Sequence, residues 1–143
     1  MRLVHGIFAV AACLWAPLAT AQDAQPAALS ESDAEIAARV EAVQRHVDAY
    51  RSGNLDRFVA TFTPDAEVYA NGLVARGRDE IRALYRLNFA PGAPRIKIHD
   101  SGVSGRFVYL SVGYVLPDGE EMCCSYSEYE VIDGKISYLA ASG

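Results

Sequence analysis

The sequence predicts an α+β fold in which about three N-terminal helices pack on one face of a curved, mainly antiparallel sheet. Apolar residues recur at helical spacing through the first half of the chain, whereas the second half consists of β-branched and aromatic runs separated by short turn sequences. Helices first and strands after is the order of that architecture, not of alternating β-α units.

Met1-Arg2 precede an apolar run from Leu3 to Leu18, and Ala19-Thr20-Ala21 matches the small-residue pattern of a signal peptidase site. Residues 1–21 therefore read as a cleaved signal peptide, and the expectation is a secreted protein of the periplasm. The apolar run falls short of the roughly 18 to 20 residues of a membrane-spanning helix, so no membrane association is expected after cleavage. Val10-Ala11-Ala12-Cys13 also has the look of a short lipobox, but Leu14-Trp15 follow where a tethered lipoprotein turns polar. Residues 22–32 are rich in Ala, Gln, Pro and Ser without an apolar period and read as a flexible tether. Residues 33–143 form the domain.

Ser32 or Asp33 caps a first helix that places Ile36, Val40, Val43, Val47 and Tyr50 on one face, and Gly53 stops it. Asn54 caps a second helix carrying Leu55, Phe58, Val59 and Phe62 at i, i+3, i+4 and i+7, closed by a Pro64-Asp65 turn. Ala66 to Ala70 reads as a short strand and Asn71-Gly72 as a turn. Gly77 opens a third helix with Asp79 and Glu80 at the positive end of its dipole and Ile81, Leu84 and Tyr85 on its buried face. After the Pro and Gly-rich loop from Ala90 to Pro94, strands are expected over Arg95 to Asp100, Arg106 to Leu116, Glu120 to Ile132 and Lys135 to Ala141. Turns at Ser101 to Gly105, Pro117 to Gly119 and Asp133-Gly134 make them an antiparallel meander.

Thirteen basic side chains, one of them Arg2, stand against eighteen acidic ones, and no basic stripe is present. That balance disfavours nucleic acid and anionic lipid as partners. Beyond the leader only Cys123 and Cys124 remain, adjacent in a strand where neighbours point to opposite faces. No disulfide framework is expected; a vicinal disulfide would be strained, and two small apolar residues is the preferred reading. Only His46 and His99 survive removal of the leader, and Asp100 beside His99 closes its strand into solvent. Neither a metal nor a cofactor is therefore expected.

Val43-Gln44-Arg45-His46, Ser52-Gly53-Asn54-Leu55-Asp56, Phe62-Thr63-Pro64-Asp65-Ala66-Glu67-Val68, Arg76-Gly77-Arg78-Asp79-Glu80-Ile81 and Asp133-Gly134-Lys135-Ile136 together resemble the NTF2-like superfamily in its SnoaL-like branch. The resemblance runs from about Ala34 to the C-terminus and implies an NTF2-like cone with a pocket between helices and sheet. Polyketide cyclases, dehydratases, steroid isomerases and non-catalytic domains share that fold, so the fold leaves the activity open. The ketosteroid isomerases are the closest motif match. Their Tyr donor to the enolate oxygen aligns with His46, and their Asp base falls on Ala70. Their second, protonated Asp falls on Ser127 when aligned from Asp133-Gly134-Lys135-Ile136, or on Glu128 when aligned from Gly119. Ser127 is favoured inside, because Tyr129 and Val131 then also point inward. A methyl group cannot take a proton, so the catalytic residues of that family are not retained.

The resemblance makes His46, Tyr85 and Ser127 the candidate catalytic residues, with Tyr85 expected to hydrogen-bond His46 and orient it. Tyr50, Phe58, Phe62, Val68, Ala70, Tyr109 and Tyr129 are the candidate ligand-binding residues, although aromatic residues at such spacing are commonly core. Val108, Leu110, Val112 and Tyr114, alongside Met122, Cys124 and Tyr126, are expected to form an uncovered apolar face through which a homodimer assembles. Three functions stay open: binding of a small apolar or amphipathic molecule in the cone; an isomerase, cyclase or dehydratase using His46 as general acid/base; or a non-catalytic protein-interaction module.

Overall fold

The computed structural model describes residues 31–143; the expected signal peptide and most of the expected tether lie outside the described residues. Helix α1 spans Asp33–Arg51, α2 Leu55–Val59 and α3 Gly77–Tyr85, which runs into a 3-10 turn at Arg86–Phe89. The strands are β1 Phe62–Ala70, β2 Leu73–Arg76, β3 Arg95–Ser104, β4 Phe107–Val115, β5 Glu121–Ile132 and β6 Lys135–Ser142. They form one sheet in the order β2-β1-β6-β5-β4-β3. Only the β1–β6 pair is parallel among the described strands. The predicted meander is β3 to β6, and β1 joins its far edge.

Ser32 begins α1 with a full capping box: its hydroxyl accepts from Glu35 N, and the Glu35 carboxylate accepts from Ser32 N at 2.8 Å. The buried face is Arg39, Ala42, Val43, His46, Val47 and Ala49. Val40, assigned to that face by its spacing, is 43% exposed. The stripe is turned because α1 packs against α2 as well as the sheet, which places His46 on its buried face.

The second helix is shorter than its periodicity suggests. Asn54 Oδ1 accepts from Arg57 N at 2.9 Å to start α2, and the Thr61 hydroxyl donates to the Phe58 carbonyl at 2.6 Å as it ends. Phe62 therefore opens β1 instead of continuing a helix, and Pro64-Asp65 lie within the strand. Pairing of β1 with β6 is irregular between Phe62 and Glu67, so Pro64, which has no N–H, sits where no ladder bond is required. Asn71 and Gly72, at φ 50° and 82°, make the hairpin turn to β2. Strand β2 has no counterpart among the elements expected from the sequence.

The register fixes which side chains meet the helices. Val68 pairs with Leu139, Leu139 with Tyr129, Tyr129 with Val108, and Ser127 with Leu110. All of these point inward with Phe58, Phe62, Ile81 and Ile136, which are buried to within 1% exposure. Val108, Leu110 and Val112 thus belong to the core and not to an uncovered face. The physical reason is a bulge in β5: Cys123 and Cys124 together oppose Gly113, so Met122 and Tyr126 lose the shared face that strict alternation gives them. The outer face instead carries Tyr69, Tyr138, Phe107, Tyr109 and Tyr126.

Candidate functional site

The cone between α1, α2, α3 and the sheet is largely filled by its own aromatic rings. The Phe58 ring lies 4.7 Å from that of His46, 5.3 Å from Phe62, 4.8 Å from Tyr85 and 5.1 Å from Phe89. What remains is an inner cavity of about 60 Å3 whose lining includes His46, Tyr85, Tyr114, Ser127 and Tyr129. That is well under the roughly 300 to 1,000 Å3 of a drug-sized ligand site. Tyr50, Asn88 and Ile96 also line an outer cavity of about 540 Å3, floored by the 3-10 turn and the loop before β3.

His46 is 3% exposed and ringed by Phe58, Phe62 and Tyr129. Its Nδ1 lies 2.7 Å from Thr61 Oγ1. The Thr61 proton is committed to the Phe58 carbonyl, so Nδ1 carries the hydrogen and donates, leaving Nε2 as an acceptor. Desolvation pushes the His46 pKa down to about 3, so the ring is neutral at physiological pH. Burial likewise pushes the Tyr85 and Tyr129 hydroxyls above their ordinary values, with neighbouring tyrosines adding to the effect.

The three candidate catalytic residues, His46, Tyr85 and Ser127, all line the inner cavity. Ser127 is 5% exposed and inward, so the alignment on Asp133-Gly134-Lys135-Ile136 is the structural one. The expected His46–Tyr85 hydrogen bond is replaced by His46–Thr61, with the Phe58 ring packed against both residues. Among the candidate ligand-binding residues, Tyr50, Phe58 and Tyr129 line the inner cavity. Phe62 and Val68 are fully buried in the core. Ala70 pairs with Ala141 on the inner face but does not line the cavity. Tyr109 points to the outer face and stacks on Tyr126 at 5.8 Å, because its register partners are Gly102 and Glu128.

The sequence reading missed Thr61, the Tyr114–Ser125 hydroxyl pair at 3.1 Å, and Asn88, whose side chain donates to the Tyr50 hydroxyl at 3.2 Å. Ser125 was legible, since it shares the alternation of Ser127 and Tyr129. Asn88 was not, because a 3-10 turn has no period to read.

Among the described residues, neither cavity has a carboxylate in its lining. The inner one offers only neutral donors and acceptors on aromatic walls. The outer one adds Arg51, Arg95 and Lys97. Lys97 bonds Glu121 at 2.9 Å, whereas Arg51 and Arg95 form no ion pair among the described residues. The arrangement suits a ligand with an anionic end and an apolar body.

A family model described as a SnoaL-like domain matches residues 43–139. No curated protein is similar enough in sequence to match. Solved structures share the fold. A proposed polyketide cyclase from Sinorhizobium meliloti superposes with a TM-score of 0.63 at 20% identity, covering 71% of this chain and 94% of that one. A protein with a ketosteroid isomerase-like fold from Catenulispora acidiphila, in complex with trimethylamine, gives 0.60 at 14% identity, covering 72% and 85%. An NTF2-like protein of unknown function from Cytophaga hutchinsonii gives 0.59 at 12% identity, covering 73% and 88%.

Proposed function

The chain belongs to the SnoaL-like family of NTF2-like proteins, and from that premise we propose that it is an exported protein that binds a small amphipathic anion in the outer cavity adjoining its cone. The observation that carries this reading is the joining, at Tyr50, Asn88 and Ile96, of a cationic outer cavity to a neutral aromatic inner one. A carboxylate placed between Arg51 and Arg95 would leave its apolar body against Tyr50, Phe89 and Ile96. The inner cavity accepts only a small terminal group, of the order of the trimethylamine held by the Catenulispora protein.

Binding is favoured over acid/base turnover by the chemistry of His46. A general base works best with a pKa near the operating pH, and a ring held neutral down to about pH 3 is a weak base. The cone itself is mostly filled by its own rings, so the binding reading rests on the 540 Å3 outer cavity that adjoins it. Export rests on the leader sequence of residues 1–21. A homodimer through the outer sheet face is the assembly we propose, supported by the aromatic rings that face exposes.

The test is a titration of the protein without its leader with octanoate and with octylamine, followed by tryptophan-independent calorimetry. Octanoate is expected to bind and octylamine not. Arg51→Ala and Arg95→Ala should each weaken octanoate by roughly tenfold, about 1.4 kcal/mol. Equal affinity for both ligands, or none for octanoate, would sink the proposal. Octanoate binding that survives His46→Asn supports a binding role and counts against His46 as an acid/base group.

A further inference from the structure

Two irregularities in strand pairing come into line with one glycine on the outer side of the sheet. On β3, His99 is the extra residue between Ile98, opposite Val112, and Asp100, opposite Ser111. On β5, Cys123 and Cys124 are the two residues between Met122, opposite Tyr114, and Ser125, opposite Val112. Gly113 of β4 lies between them and pairs with Lys97. A Cβ at position 113 would overlap His99 Nε2, with Glu121 Oε1 3.0 Å away. The missing side chain is what lets the imidazole cross β4 toward β5.

The result is a convergence that strict strand alternation forbids. His99 and the adjacent Cys123 and Cys124 offer Nε2 and two Sγ atoms, all within 4.8 Å of one another, on an exposed surface. Glu121 Oε1 stands 2.6 Å from His99 Nε2, and its Oε2 accepts from Lys97 Nζ at 2.9 Å. That contact occupies the nitrogen the site needs as a ligand, so Nε2 gives up its proton and its Glu121 partner when it ligates the cation. Cys123 and Cys124 are joined as a disulfide in the structure, and in that state neither sulfur is a thiolate.

We propose that the reduced pair Cys123–Cys124, with His99, is a binding site for a thiophilic d10 cation, Zn(II) or Cu(I). Two thiolates and an imidazole nitrogen form a soft donor set that selects these ions over Mg(II) or Ca(II). Three protein donors complete a trigonal Cu(I) site. Zn(II) adds a fourth ligand, for which the Glu121 carboxylate is in place. Deprotonation of the two thiols accompanies binding. Opening the disulfide takes two electrons and two protons; a phosphine reductant supplies the electrons and leaves as phosphine oxide, with its oxygen and the protons coming from water.

The experiment uses the protein without its leader, reduced with a phosphine under anaerobic conditions and titrated with Zn(II) alone and Cu(I) alone against a chromophoric chelator. One equivalent of at least one ion is expected to bind the reduced protein and to raise its Tm, with no effect on the oxidised protein. Cys123→Ser with Cys124→Ser should abolish binding, and His99→Ala should weaken it at least tenfold, each with an unchanged metal-free Tm because the cluster is exposed. Glu121→Gln separates the ions, weakening Zn(II) and leaving Cu(I) unchanged. If the reduced wild type binds neither ion more tightly than the double serine variant, or His99→Ala binds like wild type, the site does not exist.

Discussion

His46 shows how one buried side chain takes its chemistry from its neighbours. Thr61 fixes the tautomer through the 2.7 Å contact at Nδ1, and three aromatic rings withhold the solvent a cation would need. A folded pKa of about 3 against an ordinary value near 6.5 means that the unfolded chain binds the extra proton between those limits. The His46 contribution is therefore intact above about pH 6.5 and is lost as pH falls toward 3, by up to about 1.4 kcal/mol per pH unit. Urea unfolding at a series of pH values should show this loss in the wild type. His46→Asn, which keeps a donor for Thr61, should flatten it. A variant with an unchanged slope would show that the imidazole is protonated in the folded state.

Element boundaries were decided by hydrogen bonds at chain ends. The capping box at Ser32 was legible, since Ser32 and Glu35 stand at the required spacing before an apolar stripe. Ser32→Ala should cost about 1 kcal/mol, seen as a lower urea midpoint with an unchanged m-value; no change would mean that α1 is held by packing alone. The end of α2 was not legible. Phe62 satisfies an i+7 helical position and an inward strand position equally well, and the register of β1 against β6 chose between them. The β5 bulge is the same lesson in a strand. Counting by twos from Tyr129 gives the correct face for Ser127 and Ser125 and the wrong one beyond Cys124.

At the scale of the molecule, one face of the sheet is spent on the helices and the other is left to solvent. That outer face carries Tyr69 against Tyr138 at 5.5 Å, Phe107 against Tyr138 at 6.2 Å and Tyr109 on Tyr126. Its rim holds the ion pairs Arg76–Glu67 and Arg106–Glu130. An aromatic centre with a mixed-charge rim is what supports the proposed self-complementary interface. Light scattering on the protein without its leader should report a dimer, and Tyr109→Glu with Tyr126→Glu should convert it to a monomer. A wild-type monomer at tens of micromolar would end the dimer proposal. Among the described residues no helix is long and apolar enough to cross a membrane.

By itself the sequence determined the α+β class, the three helices, the four-strand meander and the buried side of Tyr85, and it favoured Ser127 over Glu128 without deciding between them. These follow from local periodicity, caps and turns, which neighbouring residues specify. The tertiary structure alone decided that Thr61 rather than Tyr85 holds His46, that Tyr109 faces outward, that the cone is mostly filled, and that His99 meets Cys123 and Cys124. Each of those depends on strand register and bulges, where a shift of one residue reverses a face. Register is set by pairing between distant segments, and no local pattern records it.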